Sequence, residues 1–419
     1  MAQPVAKRQK LEEDGNIFPQ LSGARYDNTT AQGNSRNVYG NVINTYHVGP
    51  QQVPAAPERT PDATSHISDD LQSIMKNLEF EQMDDRLATI ATAHSKTCEW
   101  LFQREEYQAW RDSAALNTNC GFLWLKGKPG AGKSTIMKRA QHYGEQENGG
   151  LIISFFFNAR GVELQRSTQG MYRSLLHQLL KKRMEQLSAL SIHEGYSLHF
   201  KLLEGLVERS PQRRIPASQN WPTELLKDML QDLVLAFSPA QVARCLDASV
   251  VHSGAETVET YRDSVLALAQ TQVTCYVDAL DECETDDARD MIDFLGTLRA
   301  TAAQANVDFR VLLTSRHYPH ITFEACQELI LDGQAGHEAD IADYIRNKLR
   351  IGESKLARDI QDIIRARASG VFLWVVLVIR IMNELYVRWQ IRRLRQRLDA
   401  IPSGLHELFE EILQGDTQD

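Results

Sequence analysis

The chain has 419 residues, of which 42% are hydrophobic and 24% charged, so its length and apolar content predict two to three folded domains. Its formal net charge of −9 argues against a general nucleic-acid-binding surface. The longest apolar run, residues 371–379, is too short to span a bilayer, so no membrane partner is expected.

The first 65 residues are predicted to form a disordered tail. Pro, Gly, Asn, Gln and Ser are frequent there, above all in residues 1–20 and 50–65, and helical periodicity is missing. The absence of an apolar secretory segment and six scattered cysteines without C-x-x-C spacing favour a cytoplasmic protein with reduced thiols. The basic cluster Lys7, Arg8 and Lys10 leaves the nucleus open, since such clusters serve as import signals or as solvated charge.

Residues 28–46 differ from the rest of this tail. They mix asparagines, glycines and β-forming residues, and Arg36 is their only charged residue. Asn ladders and stacked aromatic rings stabilise cross-β assemblies. The segment is therefore either a cross-β motif or a flexible polar linker.

Residues 66–118 are predicted to form a mainly helical lead-in to the main domain. Leu87, Ile90, His94, Cys98 and Leu101 recur at intervals of three or four residues, which predicts a stripe along one face of a helix. On such a stripe, His94 is expected to be a packed helix residue rather than a ligand.

Residues 127–134 read GKPGAGKS, which is the P-loop pattern G-x-x-x-x-G-K-S. An apolar run of strand type precedes the loop, and a helix-compatible run follows it. Backbone N–H groups of such a loop wrap phosphates, Lys133 is expected to reach the β- and γ-phosphates, and Ser134 is expected to hold Mg²⁺. For this pattern alone, a glycine-rich turn with a surface lysine is the alternative.

Residues 273–282 read VTCYVDALDE and give the second motif. An apolar, β-prone run ends at Asp278, where a P-loop NTPase carries the acid that helps to hold Mg²⁺. Asp281 or Glu282 could orient or deprotonate an attacking water. The alternatives are a polar strand end for Asp278 and, for the other two acids, a helix N-terminus that favours negative charge. Two motifs in one chain favour the nucleotide site.

A third strand pattern, residues 309–316, ends at Arg316. Ligands of open parallel sheets bind at the carboxyl ends of the strands, so Arg316 is a candidate sensor of a γ-phosphate. A salt bridge within a loop is an almost equally supported interpretation of this arginine.

The predicted fold class is α/β. Residues 119–335 form a P-loop NTPase core, a parallel sheet wrapped by helices, and residues 336–419 form an all-helical region with a break at Ala368-Ser369-Gly370. Residues 238–270 are expected to be an insertion of uncertain structure. Strands are predicted at 122–125, 151–157, 273–277, 310–314 and 328–331, and helices at 133–143, 167–186, 221–236, 286–303 and 338–349.

The motif Asp278-Ala279-Leu280-Asp281-Glu282 resembles the extended acidic motif of NACHT domains, which belong to the STAND class of P-loop NTPases. The wider chain, residues 84–415, is similar to fungal NOD-like receptors and their nephrocystin-like P-loop module. The other matching stretches follow in order along the chain: 97–102, 121–135, 154–160, 171–176, 314–319 and 369–375.

The resemblance implies a signalling switch that binds ATP or GTP with Mg²⁺, hydrolyses it slowly and acts in fungal-type innate immunity or self/non-self recognition. It implies that Asp281 and Glu282 are the hydrolytic acids, that Arg316 is the sensor, and that Ser134 and Asp278 hold the metal. The implied nucleotide-binding residues are Gly127, Gly130, Ala131, Gly132, Lys133, Ser134 and Thr135.

The resemblance also implies partners. Activated members oligomerise, and residues 28–46 are similar to the amyloid-forming motifs through which some fungal receptors signal to an effector. Family members continue into a winged helix and a repeat array, whereas residues 336–419 are expected to be a helical lid region truncated before the winged helix. The alternative function is a truncated nucleotide-binding interaction module with little or no turnover. A metabolic kinase is disfavoured, because the acid motif is wrong for it.

Overall fold

The structure is a computed structural model with two compact units, divided between Thr60 and Pro61. The described residues are 34–39, 42–47, 61–94, 97–112, 121–147, 150–189, 203, 221–247, 266–268, 272–318, 326–386 and 391–415. The disorder predicted for residues 1–20 and 50–60, the basic cluster at residues 7–10 and most of the predicted insertion lie outside these ranges.

The first unit contains a β-hairpin. Strands β1 (Asn34–Tyr39) and β2 (Val42–His47) pair antiparallel, from Tyr39 opposite Val42 to Asn34 opposite His47. Both strands overlap the segment 28–46, whose β-forming residues therefore adopt extended backbone. Cross-β assembly of this segment stays a prediction.

The second unit is built on a five-stranded parallel sheet. The strand order is β4-β5-β6-β3-β7, so β6 separates the strand before the P-loop from the strand that ends at Asp278. Each predicted core strand is present within one or two residues. The strands are β3 (Phe122–Lys126), β4 (Leu151–Phe156), β5 (Val273–Asp278), β6 (Phe309–Ser315) and β7 (Gln327–Ile330).

Apolar residues cover both faces of this sheet, as a parallel sheet between helices requires. Phe122 and Trp124 contribute to one cluster, while Leu123 and Leu125 contribute to the cluster on the opposite face. This alternation follows the two-residue period of a strand. Cys275 is a buried thiol within β5, in agreement with reduced cysteines.

Helices connect the strands and supply both layers. The longest, α5, packs against β4 and α6 and is buried along most of its length. The predicted core helices are confirmed, and one further helix, α7, occupies the start of the predicted insertion. They are α4 (Lys133–Gln146), α5 (Thr168–Ala189), α6 (Thr223–Leu235), α7 (Pro239–Asp247) and α8 (Thr285–Gln304).

The lead-in differs from its prediction in two places. Helix α1 (Pro61–Leu78) begins inside the stretch predicted to be disordered, with proline at the first helical position, where its missing N–H costs nothing. Helix α2 (Asp85–Thr89) ends before His94, so the predicted helical stripe is wrong beyond Ile90. A 3₁₀ turn (Glu99–Gln103) and α3 (Glu105–Arg111) complete this region.

The cause of the early end of α2 is a contact with the core. Lys138 on α4 donates from Nζ to the carbonyl oxygens of Leu87 at 2.9 Å and Ile90 at 2.7 Å. A lysine ammonium at a helix C-terminus stabilises carbonyls that have no partner within the helix. The chain beyond Ile90 then has no regular secondary structure through His94.

The final region is all-helical, as predicted, and has its own apolar core around Trp374 and Val378. The predicted break is confirmed, because Ser369 adopts a left-handed conformation with φ 46°. None of the helices in the described ranges is long and apolar enough to cross a membrane. The helices are α9 (Ala335–Lys348), α10 (Lys355–Ala368), α11 (Phe372–Tyr386), α12 (Ile391–Ala400) and α13 (Leu405–Gly415).

Candidate functional site

A cavity of about 700 Å³ lies at the carboxyl end of the sheet. Its wall is formed by the P-loop, by the ends of β5 and β6, by residues 91–94 and 97–98 of the lead-in, and by helices α9 and α11. This is where an α/β sheet binds its ligands. A cavity of this volume is in the size range of small-molecule sites.

The P-loop turns sharply into α4. Gly130 and Gly132 adopt left-handed backbone at φ 75° and 96°, a conformation that glycine enters without strain. A Cβ added at Gly132 would come near only the Cβ of Phe372, at 4.0 Å, so the loop leaves open space on that side. The loop is thus shaped to let a ligand approach its backbone.

Lys133 folds back over its own loop. Its Nζ donates to the carbonyl oxygens of Gly127 at 2.8 Å and Lys128 at 2.9 Å. Burial lowers the pKa of Lys133, while the charges of Asp281 and Asp278 oppose that shift. The ammonium is therefore held beside two acids and can turn towards an anion in the cavity.

Asp278 is fully buried at the end of β5. Thr314 at the end of β6 donates its hydroxyl to Oδ1 at 2.5 Å, and the Ser134 side chain also hydrogen-bonds to this carboxylate. Oδ2 has no hydrogen-bond partner among the described residues. Burial raises the pKa of Asp278, and the bonds from Ser134 and Thr314 only partly oppose the rise.

We expect Asp278→Asn to raise the free energy of unfolding of nucleotide-free protein at neutral pH, because it removes a carboxylate charge that burial disfavours. Because the native carboxyl has a raised pKa, the native state keeps its proton to higher pH than the unfolded chain does. Wild-type stability therefore falls as pH rises above the ordinary value of 3.8. Asparagine lacks this fall. Urea unfolding at acidic and neutral pH measures this difference. Equal changes with pH in the free energy of unfolding of the wild type and Asp278→Asn would contradict the expectation.

The other predicted acids are held by specific partners. Asp281 accepts a hydrogen bond from the backbone N–H of Arg316 at 2.9 Å, and it forms an ion pair with Arg316 Nε at 2.8 Å. Glu282 accepts one from the backbone N–H of Ala159 at 2.7 Å, through Oε2. The alternative interpretation of Arg316 as a salt-bridge residue thus describes its contact, yet Arg316 also lines the cavity.

The helical region closes over the P-loop. The backbone N–H of Leu373, at the start of α11, donates to the carbonyl oxygen of Gly130 at 2.9 Å. Lys128 Nζ donates to Ser369 O at 3.3 Å. A Cβ added at Gly130 would lie 3.2 Å from the Cβ of Leu373. Gly130 therefore serves the docking of the helical region as well as the turn of the loop.

The rest of the cavity wall is more aromatic. The Tyr344 ring meets the His94 ring edge-on with centroids 5.4 Å apart, and meets the Phe372 ring at 5.0 Å. His94 Nε2 is buried without a hydrogen-bond partner among the described residues. Asp340 accepts from the backbone N–H of Cys98 at 2.7 Å and from Trp100 Nε1 at 3.0 Å. His94 is thus a cavity residue rather than a packed helix residue.

The structure brings most of the predicted site residues into one cavity wall. Gly127 is the exception. It lies behind the loop, its N–H donates to Ser315 O at 3.3 Å, and a Cβ there would lie 3.2 Å from the Cβ of Leu331. The predicted residues that line the cavity are Gly130, Ala131, Gly132, Lys133, Ser134, Thr135, Asp278, Asp281, Glu282 and Arg316.

Sequence reasoning missed several residues of the wall. Thr314 could have been found, since it is a polar residue at the end of a buried strand. Arg86 and His94 stand in no motif, and the lining residues of α9 and α11 reach the cavity only through folding. The missed residues include Arg86, His94, Thr314, His337, Asp340, Tyr344, Phe372 and Leu373.

The residues present fit a nucleotide with Mg²⁺. The orphaned Oδ2 of Asp278 next to the Ser134 hydroxyl offers two oxygen donors, and Mg²⁺ typically takes one or two carboxylates and completes its shell with phosphates and water. No cluster of three or more His, Cys, Asp or Glu side chains in the described ranges could hold a metal by protein ligands alone. A metal here would accordingly depend on the phosphates.

The fold and this loop define a P-loop protein of the parallel α/β class. The family model of the nephrocystin 3 N-terminal region matches residues 96–248 and 213–316, together just over half of the chain. The chain therefore belongs to this family and carries a nephrocystin-like module of the NACHT type. It is similar to the vegetative incompatibility protein HET-E-1 of Podospora anserina, 22% identical over 331 residues. That match covers 75% of this chain and 20% of the relative, so the chain spans about a fifth of the relative's length.

Proposed function

We propose that this protein is a nucleotide-dependent signalling switch that binds ATP or GTP with Mg²⁺ and hydrolyses it slowly. The observation that carries the proposal is the convergence of Lys133, Ser134, Asp278 and Arg316 on one cavity behind an open glycine loop. Each group has a separate task in holding a triphosphate. A glycine-rich turn with a solvent-exposed lysine would not need this convergence.

The site residues divide into a binding part and a hydrolytic part. In the binding part, Lys133 and the N–H groups of residues 130–135 hold phosphate oxygens, and Ser134 with Asp278 holds Mg²⁺, which would neutralise phosphate charge. In the hydrolytic part, Glu282 orients or deprotonates the attacking water and Arg316 stabilises the terminal phosphate. The purine base of the nucleotide lies against the wall formed by His94, Tyr344 and Phe372.

The existing contacts of the acids support slow turnover. Asp281 is engaged by Arg316, so neither charge is free to act without breaking a pair. Glu282 already gives one oxygen to Ala159. A general base works best when it reaches the water directly, and these contacts compete with that task.

The relative supports a signalling role, because its name places it in vegetative incompatibility. We propose that this chain acts in fungal-type self/non-self recognition or innate immunity, that its nucleotide state controls homo-oligomerisation, and that residues 28–46 recruit an effector. We place it in the cytoplasm, with the nucleus left open by the basic cluster. The division into tail 1–65, lead-in 66–118, core 119–335 and lid 336–419 belongs to the same proposal.

The second candidate is a nucleotide-binding interaction module with little or no turnover. The engagement of both hydrolytic acids favours it over a fast enzyme. The two candidates share one site and differ only in the fate of the bound triphosphate.

The test is to purify the full chain, extract and identify any bound nucleotide, and follow ATP and GTP turnover with Mg²⁺. We expect bound nucleotide and turnover slower than about 1 s⁻¹, below the range of typical enzymes. Tight binding without turnover would favour the second candidate. Absence of both binding and turnover would contradict the proposed site.

A further inference from the structure

Arg86 lines the cavity although it belongs to no recognised motif. It lies on the short helix α2 (Asp85–Thr89), in the lead-in. Its Nε atom is buried and has no hydrogen-bond partner among the described residues. A buried guanidinium donor without a partner is costly, so this atom needs an acceptor that the described residues do not supply.

The position of Arg86 is fixed by contacts on both sides of α2. Lys138 donates to Leu87 O and Ile90 O beyond it. Before it, Gln165 Nε2 donates to Gln82 O at 2.6 Å, and Arg173 donates from Nη2 to Glu79 O at 2.9 Å. The core therefore holds the segment 79–90 by side chains from α4, α5 and the loop before α5, and Arg86 is presented to the cavity by a fixed support.

The surrounding charges indicate which end of a ligand Arg86 would meet. The charge of Arg86 acts on Asp278 and opposes the burial that raises the pKa of that acid. Asp278 and Ser134 line the same cavity and would hold a metal beside the phosphates of a nucleotide. Its interaction with Asp278 therefore places Arg86 at the phosphate end of the cavity.

The other cations of the cavity wall have partners already. Lys133 is bonded to two loop carbonyls, and Arg316 is paired with Asp281. Arg86 Nε differs from them because it is buried without such a bond. Arginine carries its donors in a planar fork that suits phosphate oxygens.

We propose that Arg86 binds the terminal phosphates of the nucleotide from the lead-in segment and makes the site prefer a triphosphate over a diphosphate. This inference rests on the proposed function, since it requires a nucleotide in the cavity. The lead-in would thereby contact the phosphate that distinguishes a triphosphate from a diphosphate, so its response would not depend on a change in the sheet.

The test compares affinities of full-length variants for Mg²⁺ complexes of ADP, GDP and the non-hydrolysable imido analogues of ATP and GTP. We expect Arg86→Ala to weaken triphosphate-analogue binding by about 10- to 100-fold, as for a lost hydrogen bond to a charged group. Diphosphate affinity should fall by less than about threefold. Arg86→Lys should lie between the two proteins, because it keeps the charge and loses the fork.

Arg346→Ala is the matched control, since Arg346 is exposed on α9 and paired with Asp343, and it should change neither affinity. Equal loss of tri- and diphosphate binding in Arg86→Ala, or no loss, overturns the inference. If thermal melting finds Arg86→Ala unfolded, Arg86→Gln decides by the same criterion. A wild type that binds neither nucleotide overturns the proposed function itself, whereas a wild type that binds and a variant that discriminates equally well overturn only the role of Arg86.

Discussion

Lys133→Ala should abolish nucleotide binding, with a loss of affinity of roughly 100-fold or more. The ammonium is half-buried beside Asp278 and Asp281, and it is already oriented by two loop carbonyls. Its bonds to phosphate would be charge-assisted and shielded from water, which makes them strong. Isothermal titration with ATP and GTP in the presence of Mg²⁺ measures the effect.

Lys355→Ala provides the control for this experiment, because Lys355 is an exposed lysine at the start of α10. It should bind nucleotide as the wild type does. Circular dichroism melting of both variants checks that the fold is retained. Unchanged affinity in folded Lys133→Ala would remove the P-loop from the nucleotide site.

Glu282→Gln should keep nucleotide binding and slow hydrolysis by about 100-fold or more, the usual contribution of a positioned general base. Glutamine can still accept the hydrogen bond from Ala159, so the loop contact is retained. Single-turnover hydrolysis with protein in excess separates the chemical step from nucleotide release.

Asp281→Asn is the companion variant. It removes the charge that pairs with Arg316 while preserving an acceptor for the Arg316 backbone N–H. If Asp281 holds Arg316 in place rather than acting on water, turnover should fall less than in Glu282→Gln. Full turnover in both variants would exclude the two acids from a catalytic role.

Much of this fold could be predicted because its information is local. Strands buried on both faces appear in the sequence as short apolar runs, and the P-loop has a fixed spacing between glycine and lysine. The end of the helix at Ser369 could also be predicted, since helices commonly end at glycine. These features follow from neighbouring residues and required no knowledge of distant contacts.

The lead-in was harder to predict because distant residues decide its structure. The spacing of Leu87, Ile90 and His94 continues a helical pattern, yet Lys138 ends the helix from another element. Arg316 stayed ambiguous for a similar reason, since its partner Asp281 is 35 residues away. Periodicity reports which face is apolar, but it does not report which buried polar atom finds a partner.

The bond between Gly130 O and Leu373 N has a practical consequence for dissecting the protein. The first N–H groups of a helix need an external acceptor, and neither Gly370 nor Val371 has a side-chain oxygen to provide one. The P-loop supplies that acceptor to α11. A cut at residue 335 would separate the two partners. The C-terminal fragment would contain α11 without its acceptor, and the N-terminal fragment would contain the P-loop without the helices that cover it. Fragments intended for biochemistry should therefore keep the sheet and the helices through α13 on one polypeptide.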